Sequence, residues 1–355
     1  MASTSQHLLA AADGLAADLA AEAAETWAKG LDAARLARLV RVGVLDPYRN
    51  LGSDAAAAVH LELPRLLARN CASTAWVAAA AGQASACLSA FPDQARAEAR
   101  AAGDGAEASF AAFGDLTLDG AVDPSSGRVR GTWKMVPAAA MAPWLLLVTS
   151  APTPYCILVS RAEAAVTLFD HQGGLRGAGV GDVTLKDIVL PPHRRPELSP
   201  SAAEHLARRS RLMPVGVAMG SAEGAFRDYV AITHKRVNTT GGAAVAKFTQ
   251  VQIRLAEVDA ELASARGLFD ALARSFGGPD VAAQSRDGAY IVRQCLRATT
   301  QLVQQMGAQG IAEANIVQRH ARDLRAVTAD PRVAWDAALA AQGRAILGIA
   351  DPAML

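Results

Sequence analysis

The residues that could do chemistry in this 355-residue chain form few recognisable catalytic patterns. The best candidate for a phosphate-binding loop is the glycine-rich segment GGLRGAGVGD, from Gly173 to Asp182. A dinucleotide-binding fingerprint requires a helix that starts on the glycines, because its N-terminal amides hold the pyrophosphate. The residues that follow, VTLKDIVLP, alternate like a strand. The segment is therefore predicted to be a β-turn with positive φ.

Nucleophile and metal motifs are equally few. The seven histidines are scattered and form no HxxxH or HExxH pair, which predicts no metal site. The segment GSAEG, which begins at Gly220, places its serine one position too early for the GxSxG turn of hydrolases. Cys71 lies beside Ser73 at the predicted start of a buried helix, where packing is a better account than nucleophilic reactivity.

Composition and charge exclude several classes of protein. The 35 Lys and Arg against 34 Asp and Glu leave a net charge of +1, which argues against nucleic-acid binding. The apolar N-terminal stretch lacks a basic region and contains Asp13 and Asp18, so we expect no signal peptide. The most apolar stretch, from Trp76 to Phe91, is shorter than the roughly 20 residues of a membrane span and predicts a buried helix. The four cysteines form no CxxC pair, which indicates reduced thiols and a cytoplasmic protein without membrane contact.

The elements that must position any site fall into three blocks, and the predicted fold class is α+β, mostly α. Residues 1–105 are rich in Ala and Leu and predict an N-terminal helical domain. Residues 106–196 change to a period of two, with Val129, Trp133 and Met135 on one face of GRVRGTWKMV, and predict an antiparallel β domain. Residues 197–355 contain helical runs at 203–236, 251–269, 284–306 and 332–348, which predict a C-terminal four-helix bundle.

This order of blocks and several local segments resemble the acyl-CoA dehydrogenase superfamily. NCASTAWV, from Asn70, is similar to the CGSTAW segment of a central helix, and GRVRGTWKMV followed by APWLLL is similar to two strands. GGLRGAGVGDVTLKDIVLP resembles the family's GlrGTGS loop and strand, which is the most specific match. QQMGAQGIAEANIVQRHARDL, from Gln304, resembles the family's bundle segment with an R..RD pattern. The resemblance spans residues 8–352 and is greatest to the reduced-flavin monooxygenases of the p-hydroxyphenylacetate hydroxylase oxygenase-component type.

The resemblance implies a flavin, FAD or reduced FMN, between the β domain and the bundle, with a neighbouring subunit completing the site. Trp133 and Met135 would lie at the flavin ring, although Trp133 is alternatively a core anchor. Arg236 matches an arginine that binds the flavin phosphates, a task that suits a guanidinium, and its alternative is a solvated helix end.

Further residues take their implied roles from the same resemblance. Gln304, Gly307 and Gly310 match the bundle turn that approaches the dinucleotide, and the glycines alternatively end a helix. Trp76 and Met141, together with Met135, would form an apolar pocket wall that favours a hydrophobic or aromatic substrate.

The chain departs from the family at the positions that matter most for chemistry. Acyl-CoA dehydrogenases carry a catalytic glutamate shortly after the RD pair, and the related monooxygenases carry a histidine there. This chain has Asp330-Pro331, so Asp330 is the remaining candidate for a catalytic group. Glu257 or Glu261 on the preceding helix would be a geometric substitute for the glutamate. Apolar residues also replace at least two hydroxyl-bearing residues of the family that could hold flavin or substrate. Each lost hydrogen bond to a buried group would weaken binding by about 1–3 kcal/mol.

Three functions remain open on the sequence alone. The leading hypothesis is a flavin-dependent oxidoreductase that receives reduced flavin from a partner reductase and oxygenates a small organic substrate. The alternatives are an FAD-dependent acyl-CoA dehydrogenase and a family member that has lost redox chemistry and acts as a redox-neutral catalyst or scaffold. In each case we expect a homotetramer or homodimer assembled through the C-terminal bundle.

Overall fold

The computed structural model describes residues 4–49, 51, 56–101, 109–149, 153–169, 173–237 and 242–349. These residues form eleven α-helices and seven β-strands, in the order helices, strands, helices. The first helices are α1 (Thr4–Gly14), α2 (Ala16–Lys29), α3 (Ala33–Val42), α4 (Leu63–Ala68), α5 (Ala72–Leu88) and α6 (Asp93–Arg100). A π-helical segment, Ala58–Glu62, leads directly into α4.

Helix α5 is the centre of the N-terminal part, and every one of its residues is buried. Its many alanines let α4, the first β-strand and the long helix of the bundle approach it closely. Gln83, the longest polar side chain in this helix, donates a hydrogen bond to the backbone oxygen of Leu206 at 3.1 Å. The prediction of a buried, alanine-rich helix in this region is confirmed.

The strands form two sheets. The first has the order β1 (Ala111–Gly114), β4 (Trp144–Val148), β5 (Cys156–Ser160). The second has the order β2 (Ala121–Val122), β3 (Arg128–Val136), β7 (Gly181–Val189), β6 (Ala165–Leu168). The described strand pairs are antiparallel as predicted, except that β1 and β4 pair in parallel.

Strand β3 corrects the prediction that Val129, Trp133 and Met135 share one face. Val129 and Trp133 are fully buried, whereas Met135 is 41% exposed. The pairing of β3 with β7 shifts register between Trp133 and Val136, and Met135 has a φ of 52°. This bulge turns the Met135 side chain away from the core. The alternation of residue types in the sequence does not reveal the bulge, because the apolar residues keep their spacing of two.

The C-terminal part contains α7 (Pro200–Lys235), α8 (Thr249–Arg274), α9 (Val281–Gln305), α10 (Ile316–Thr328) and α11 (Trp335–Leu347). The sequence predicted four helices here, and the described residues form five. Helix α10 packs against α7 and α9, so it is the fourth helix of the bundle, while α11 packs on α9. The side chain of Asn315 caps α10 by accepting from the amides of Val317 and Gln318 at 2.9 and 3.3 Å.

A glycine ridge on α7 allows it to approach α4 with backbone against backbone. The ridge consists of Gly216, Gly220 and Gly224, spaced one helical turn apart. A Cβ atom at each position would lie only 2.0–2.3 Å from a backbone carbonyl oxygen of the helical segment around α4. These oxygens belong to Leu61, Arg65 and Arg69, in that order. The GSAEG segment therefore serves helix packing.

No helix within the described ranges is long and apolar enough to cross a membrane. The predicted domain boundary between residues 105 and 106 lies outside the described residues. The predicted boundary between residues 196 and 197 lies in the connection from β7 to α7. Both boundaries remain predictions.

Candidate active site

A cavity of about 540 Å³ lies where α5, the β domain and α10 meet. Its apolar wall includes Trp76, Met135, Phe169, Leu175 and Val180. Its charged wall comes from α10 and the residues just after it, Arg322, Arg325 and Asp330. Gly173 and Gly174 of the glycine-rich loop complete one side. This volume is within the range of small-molecule sites in proteins.

The glycine-rich loop is held against two helices by approaches that require glycine. A Cβ atom at Gly174 would lie 2.0 Å from the carbonyl oxygen of Arg322 in α10. A Cβ atom at Gly177 would lie 2.2 Å from the carbonyl oxygen of Thr26 in α2. Leu175 between them has a φ of 52°, and strand β7 begins at Gly181. The prediction of a positive-φ turn followed by a strand is confirmed.

The buried carboxylate of Asp323 fixes this loop from α10. Its Oδ1 accepts a hydrogen bond from the Leu175 amide at 2.7 Å and another from the Trp27 indole at 3.1 Å. Burial raises the pKa of Asp323 to about 6, and these two hydrogen bonds oppose the shift. In the pair Arg322-Asp323, the aspartate therefore holds the glycine-rich loop that forms one side of the cavity.

Asp330 stands at the cavity wall and is 7% exposed. Its two carboxylate oxygens accept from Arg332, Oδ1 from the backbone amide at 2.9 Å and Oδ2 from Nη1 at 2.7 Å. Burial raises the pKa of Asp330, and the charge of Arg332 opposes that shift. Arg332 also donates from Nε to the Ser210 hydroxyl at 2.9 Å and pairs with Asp115, so it links the cavity to α7 and to the residue after β1.

The side chain of Trp133 lies in the core of the β domain. It is fully buried, and its indole nitrogen donates to the carbonyl oxygen of Val148 at 2.7 Å. This position favours the alternative role of a core anchor, and the implied flavin contact of Trp133 stays a prediction. Met135 and Trp76 both lie on the cavity wall, and Met141 packs against Gly179, one residue from Val180 of the wall.

Arg236, Gln304, Gly307 and Gly310 lie around the end of α9 and outside the cavity wall. Arg236 donates weakly from Nη2 to the carbonyl oxygen of Met306 at 3.5 Å. Its Nη1 is buried without a hydrogen-bond partner in the described structure, as is Nε2 of Gln305. Gly307 has a φ of 57°. Gly310 is required by packing, because a Cβ atom there would lie 2.3 Å from the carbonyl oxygen of Val303.

Glu257 and Glu261 do not line the cavity. They line a separate depression between α8 and α9, together with Gln304. There Glu257 pairs with Arg254 at 2.9 Å, and Glu261 pairs with Arg297 at 3.1 Å. This placement does not favour a catalytic glutamate from α8, which stays a prediction.

His320 belongs to a buried polar cluster with a serine and an aspartate. Its Nδ1 lies 3.1 Å from the hydroxyl of Ser221, and its Nε2 lies 3.3 Å from Asp228. The residue types are those of a catalytic triad. Ser221 is fully buried and His320 is 2% exposed, so the cluster joins α7 to α10 and does not reach a substrate.

Sequence reasoning missed several residues of the cavity. The glycine-rich segment was interpreted only as a possible phosphate-binding motif, so the cavity residues in it, Leu175 and Val180, and the nearby Phe169 were not predicted. Arg325 follows Arg322 by three residues, and this spacing would have placed both on one face of α10 had the helix been predicted. Arg332 carried no sequence pattern, since two of its three partners, Ser210 and Asp115, come from distant elements.

Comparisons with known proteins agree with this fold. Residues 212–330 match the family profile described as acyl-CoA dehydrogenase, C-terminal domain. The oxygenase component of FADH(2)-dependent resorcinol hydroxylase from Rhizobium sp. (strain MTP-10005) is 26% identical over 369 aligned residues, which cover 91% of this chain and 89% of that protein.

Two solved structures superpose over nearly the whole chain. The HsaA monooxygenase from M. tuberculosis has a TM-score of 0.83 and 21% identity, covering 98% of this chain and 99% of that one. XiaF from Streptomyces sp., solved in complex with FADH2 and glycerol, has a TM-score of 0.83 and 19% identity, covering 98% and 96%. These structures show the acyl-CoA dehydrogenase-like fold. The profile match over residues 212–330 and the sequence similarity to the hydroxylase component agree with the resemblance of the chain to the acyl-CoA dehydrogenase superfamily.

Proposed function

We propose that this chain is a flavin-dependent oxidoreductase, the oxygenase component of a two-component monooxygenase that hydroxylates a small organic substrate. The observation that carries the proposal is the chemistry of the cavity wall. The wall is apolar where α5, β3 and the glycine-rich loop form it. Asp330 supplies the carboxylate of the described wall, and Arg332 already donates a hydrogen bond to it. Such a wall can take an apolar molecule, and its described lining offers no free carboxylate as a base.

The described residues fit a flavin in two places. Trp76 and Met135 offer an apolar surface in the cavity for a flat ring system. The unsatisfied donors of Arg236 and Gln305 at the end of α9 suit the phosphates of FAD or FMN, since buried donors without partners are costly. When bound in reduced form, the flavin supplies the electrons that activate dioxygen. The full-length relative, described as FADH(2)-dependent, supports FAD as the first choice.

The chain's own residues would act by position and by exclusion of water. The clamped glycine-rich loop keeps one cavity wall rigid, because Gly174 and Leu175 are both fixed to α10. Asp330 presents an acceptor that Arg332 holds in one orientation. A substrate hydroxyl that reaches this carboxylate would donate a hydrogen bond to it and be oriented by it.

The dehydrogenase alternative requires a base that removes a proton from an acyl thioester. Pro331 has no such group, and the Asp330 carboxylate is engaged by Arg332 with both oxygens. This arrangement favours oxygenation over dehydrogenation. A scaffold without redox chemistry would not bind flavin, and the experiment below separates it from both enzymes.

We further propose three features of the biological context. A flavin reductase supplies the reduced cofactor, as expected for a relative of an oxygenase component. The chain forms a homodimer or homotetramer through its C-terminal bundle. It is cytoplasmic, because its four cysteines are unpaired and buried, which is compatible with a reducing compartment.

The first experiment titrates the purified protein with oxidised and anaerobically reduced FAD and FMN. We expect reduced flavin to bind at least tenfold more tightly than oxidised flavin, and oxygen admission to yield a hydroxylated product from an aromatic substrate. Arg236→Ala should weaken binding by roughly 10- to 100-fold, since a hydrogen bond to a charged group contributes about 1.5–3 kcal/mol.

Lys235→Ala is the matched control, because this neighbouring cation is exposed at the same helix end. Its flavin affinity should stay within about twofold of the wild-type value. Absence of binding for every flavin form would eliminate the oxidoreductase. Tight binding of oxidised FAD alone, with bleaching by acyl-CoA thioesters, would favour the dehydrogenase.

A further inference from the structure

Two arginines on one face of α10 give the cavity a positive wall. Arg322 and Arg325 are three residues apart, so their side chains project from the same side of the helix. Both line the cavity. The opposite wall, which includes Trp76 and Phe169, carries no charge.

Neither arginine is neutralised by a close ion pair. The Arg325 side chain makes no hydrogen bond or ion pair with the part of the chain that the structure describes. Arg322 reaches Glu313 only at 4.0 Å, and that glutamate is 67% exposed, where screening by water leaves little attraction. Asp330 balances at most one of the two charges, because it pairs with Arg332 at 2.7 Å, and Arg332 is shared with Asp115. The cavity therefore carries an excess of positive charge beside an apolar surface.

We propose that Arg322 and Arg325 bind a carboxylate of the substrate, so that the substrate class is an apolar, aromatic or similarly sized molecule bearing an acidic group. This inference rests on the proposed function and names the substrate of the same cavity. A guanidinium fork matches a carboxylate through two parallel hydrogen bonds and gives orientation as well as affinity. The apolar wall takes the body of the molecule, and the arginines fix the end that carries the charge.

The flavin phosphate is the other source of a negative group for this pair. The unsatisfied donors at the end of α9, on Arg236 and Gln305, already provide a separate place for phosphate outside the cavity wall. The arginines of α10 are therefore left for the substrate. Comparing FMN with riboflavin, which lacks the phosphate, separates the two assignments.

The experiment measures binding of matched acids and amides by titration calorimetry to the full chain, with and without saturating reduced flavin. The pairs are 2-naphthoate and 2-naphthamide, phenylacetate and phenylacetamide, and octanoate and octanamide. For at least one pair we expect the acid to bind about tenfold or more tightly than the amide, since a charge-assisted hydrogen bond is lost in the amide. Arg325→Gln should abolish this preference, and Arg325→Lys should keep part of it.

Arg274→Gln is the matched control, because Arg274 is also exposed on a helix, at the end of α8, and lines none of the described cavities. It should leave the acid preference unchanged. Arg325 is exposed, so Arg325→Gln should keep the wild-type melting temperature, which thermal unfolding checks.

Three results would overturn the inference. The first is that no acid binds more tightly than its amide, and the second is that the preference persists in Arg325→Gln. The third is that Arg325→Gln weakens binding of FMN but not of riboflavin, which would assign the arginine to the cofactor. Because the acid–amide comparison is also made without flavin, it reports on the arginines even if the flavin titration of the proposed function fails.

Discussion

Asp323 and Asp330 are two buried carboxyls at the end of the bundle, and their neighbours give them different tasks. Asp323 accepts from a backbone amide and an indole and has no ion pair within the described residues. Asp330 is bound on both oxygens by Arg332. The first therefore anchors a loop, and the second presents a fixed acceptor to the cavity.

Burial makes the stability of the protein depend on the ionisation of Asp323. Its pKa in the folded state is raised to about 6 from an ordinary value near 3.8, so the folded state favours the neutral carboxyl. The resulting stabilisation is complete below the ordinary pKa and is lost as the pH rises through the raised one. Relative to Asp323→Asn, which keeps an oxygen acceptor and does not ionise, the wild-type free energy of unfolding should fall by roughly 2–3 kcal/mol between about pH 4 and about pH 7.

Urea unfolding of both proteins across this range measures the difference. Groups that titrate in both proteins cancel in the comparison. A wild-type minus variant difference that does not change with pH would contradict the assignment of the raised pKa to Asp323.

At the scale of elements, the cavity depends on how closely the glycine-rich loop approaches α10. In Gly174→Ala, the new Cβ atom would lie only 2.0 Å from the carbonyl oxygen of Arg322. Since the obstacle is backbone, the loop must move, and we expect a loss of about 1–3 kcal/mol or more in unfolding free energy, together with weaker ligand binding.

Gly173→Ala tests the same prediction from the adjacent position. Gly173 also lines the cavity, but a Cβ atom there meets nothing within 4 Å, and its φ is not in the left-handed region. This variant should unfold within about 0.5 kcal/mol of the wild type. Equal losses in the two variants would show that close packing of the loop is not the cause.

The same elements show how far sequence reasoning reaches. Regular patterns were predicted well. The alanine-rich helix α5 is fully buried, and the helical run 251–269 lies in α8, where its members Val258, Leu262 and Phe269 are buried. Predictions failed where the structure departs locally from the pattern. An example is the bulge at Met135, whose positive φ comes from the pairing of β3 with β7. Helix α10 was missed as an element although Val317, Leu324 and Val327 on it are buried at helical spacing. The site was only partly predicted, because Arg332 acquires its partners through tertiary contacts.

At the scale of the whole molecule, the last described helix exposes apolar side chains that no other described residue covers. Leu339, Ile346 and Leu347 on α11 are 38%, 73% and 72% exposed. Exposed apolar groups of this kind are typical of association surfaces. They favour the proposed homo-oligomer, and we propose that part of its contact lies on the bundle side of the chain.

Charges on this surface should dissociate the oligomer. We expect the double variant Ile346→Asp, Leu347→Asp to have a smaller molar mass than the wild type by light scattering, because two carboxylates would be buried in the contact. Ala337→Asp is the control, since Ala337 is exposed on the opposite side of the helix and should leave the mass unchanged. A wild-type protein that already runs as a monomer would refute the proposed assembly.

The glycine ridge between α7 and α4 has a consequence for how the chain finds its arrangement. Its three members repeat at every turn, so sliding α7 by one turn would again set glycines against two of the three carbonyl oxygens. Close packing alone therefore does not distinguish the native alignment from a slipped one. The ion pair of Arg65 on α4 with Glu223 on α7, at 2.6 Å, forms in a single alignment. This ion pair therefore contributes to the register of the two helices, which the glycine contacts alone do not fix.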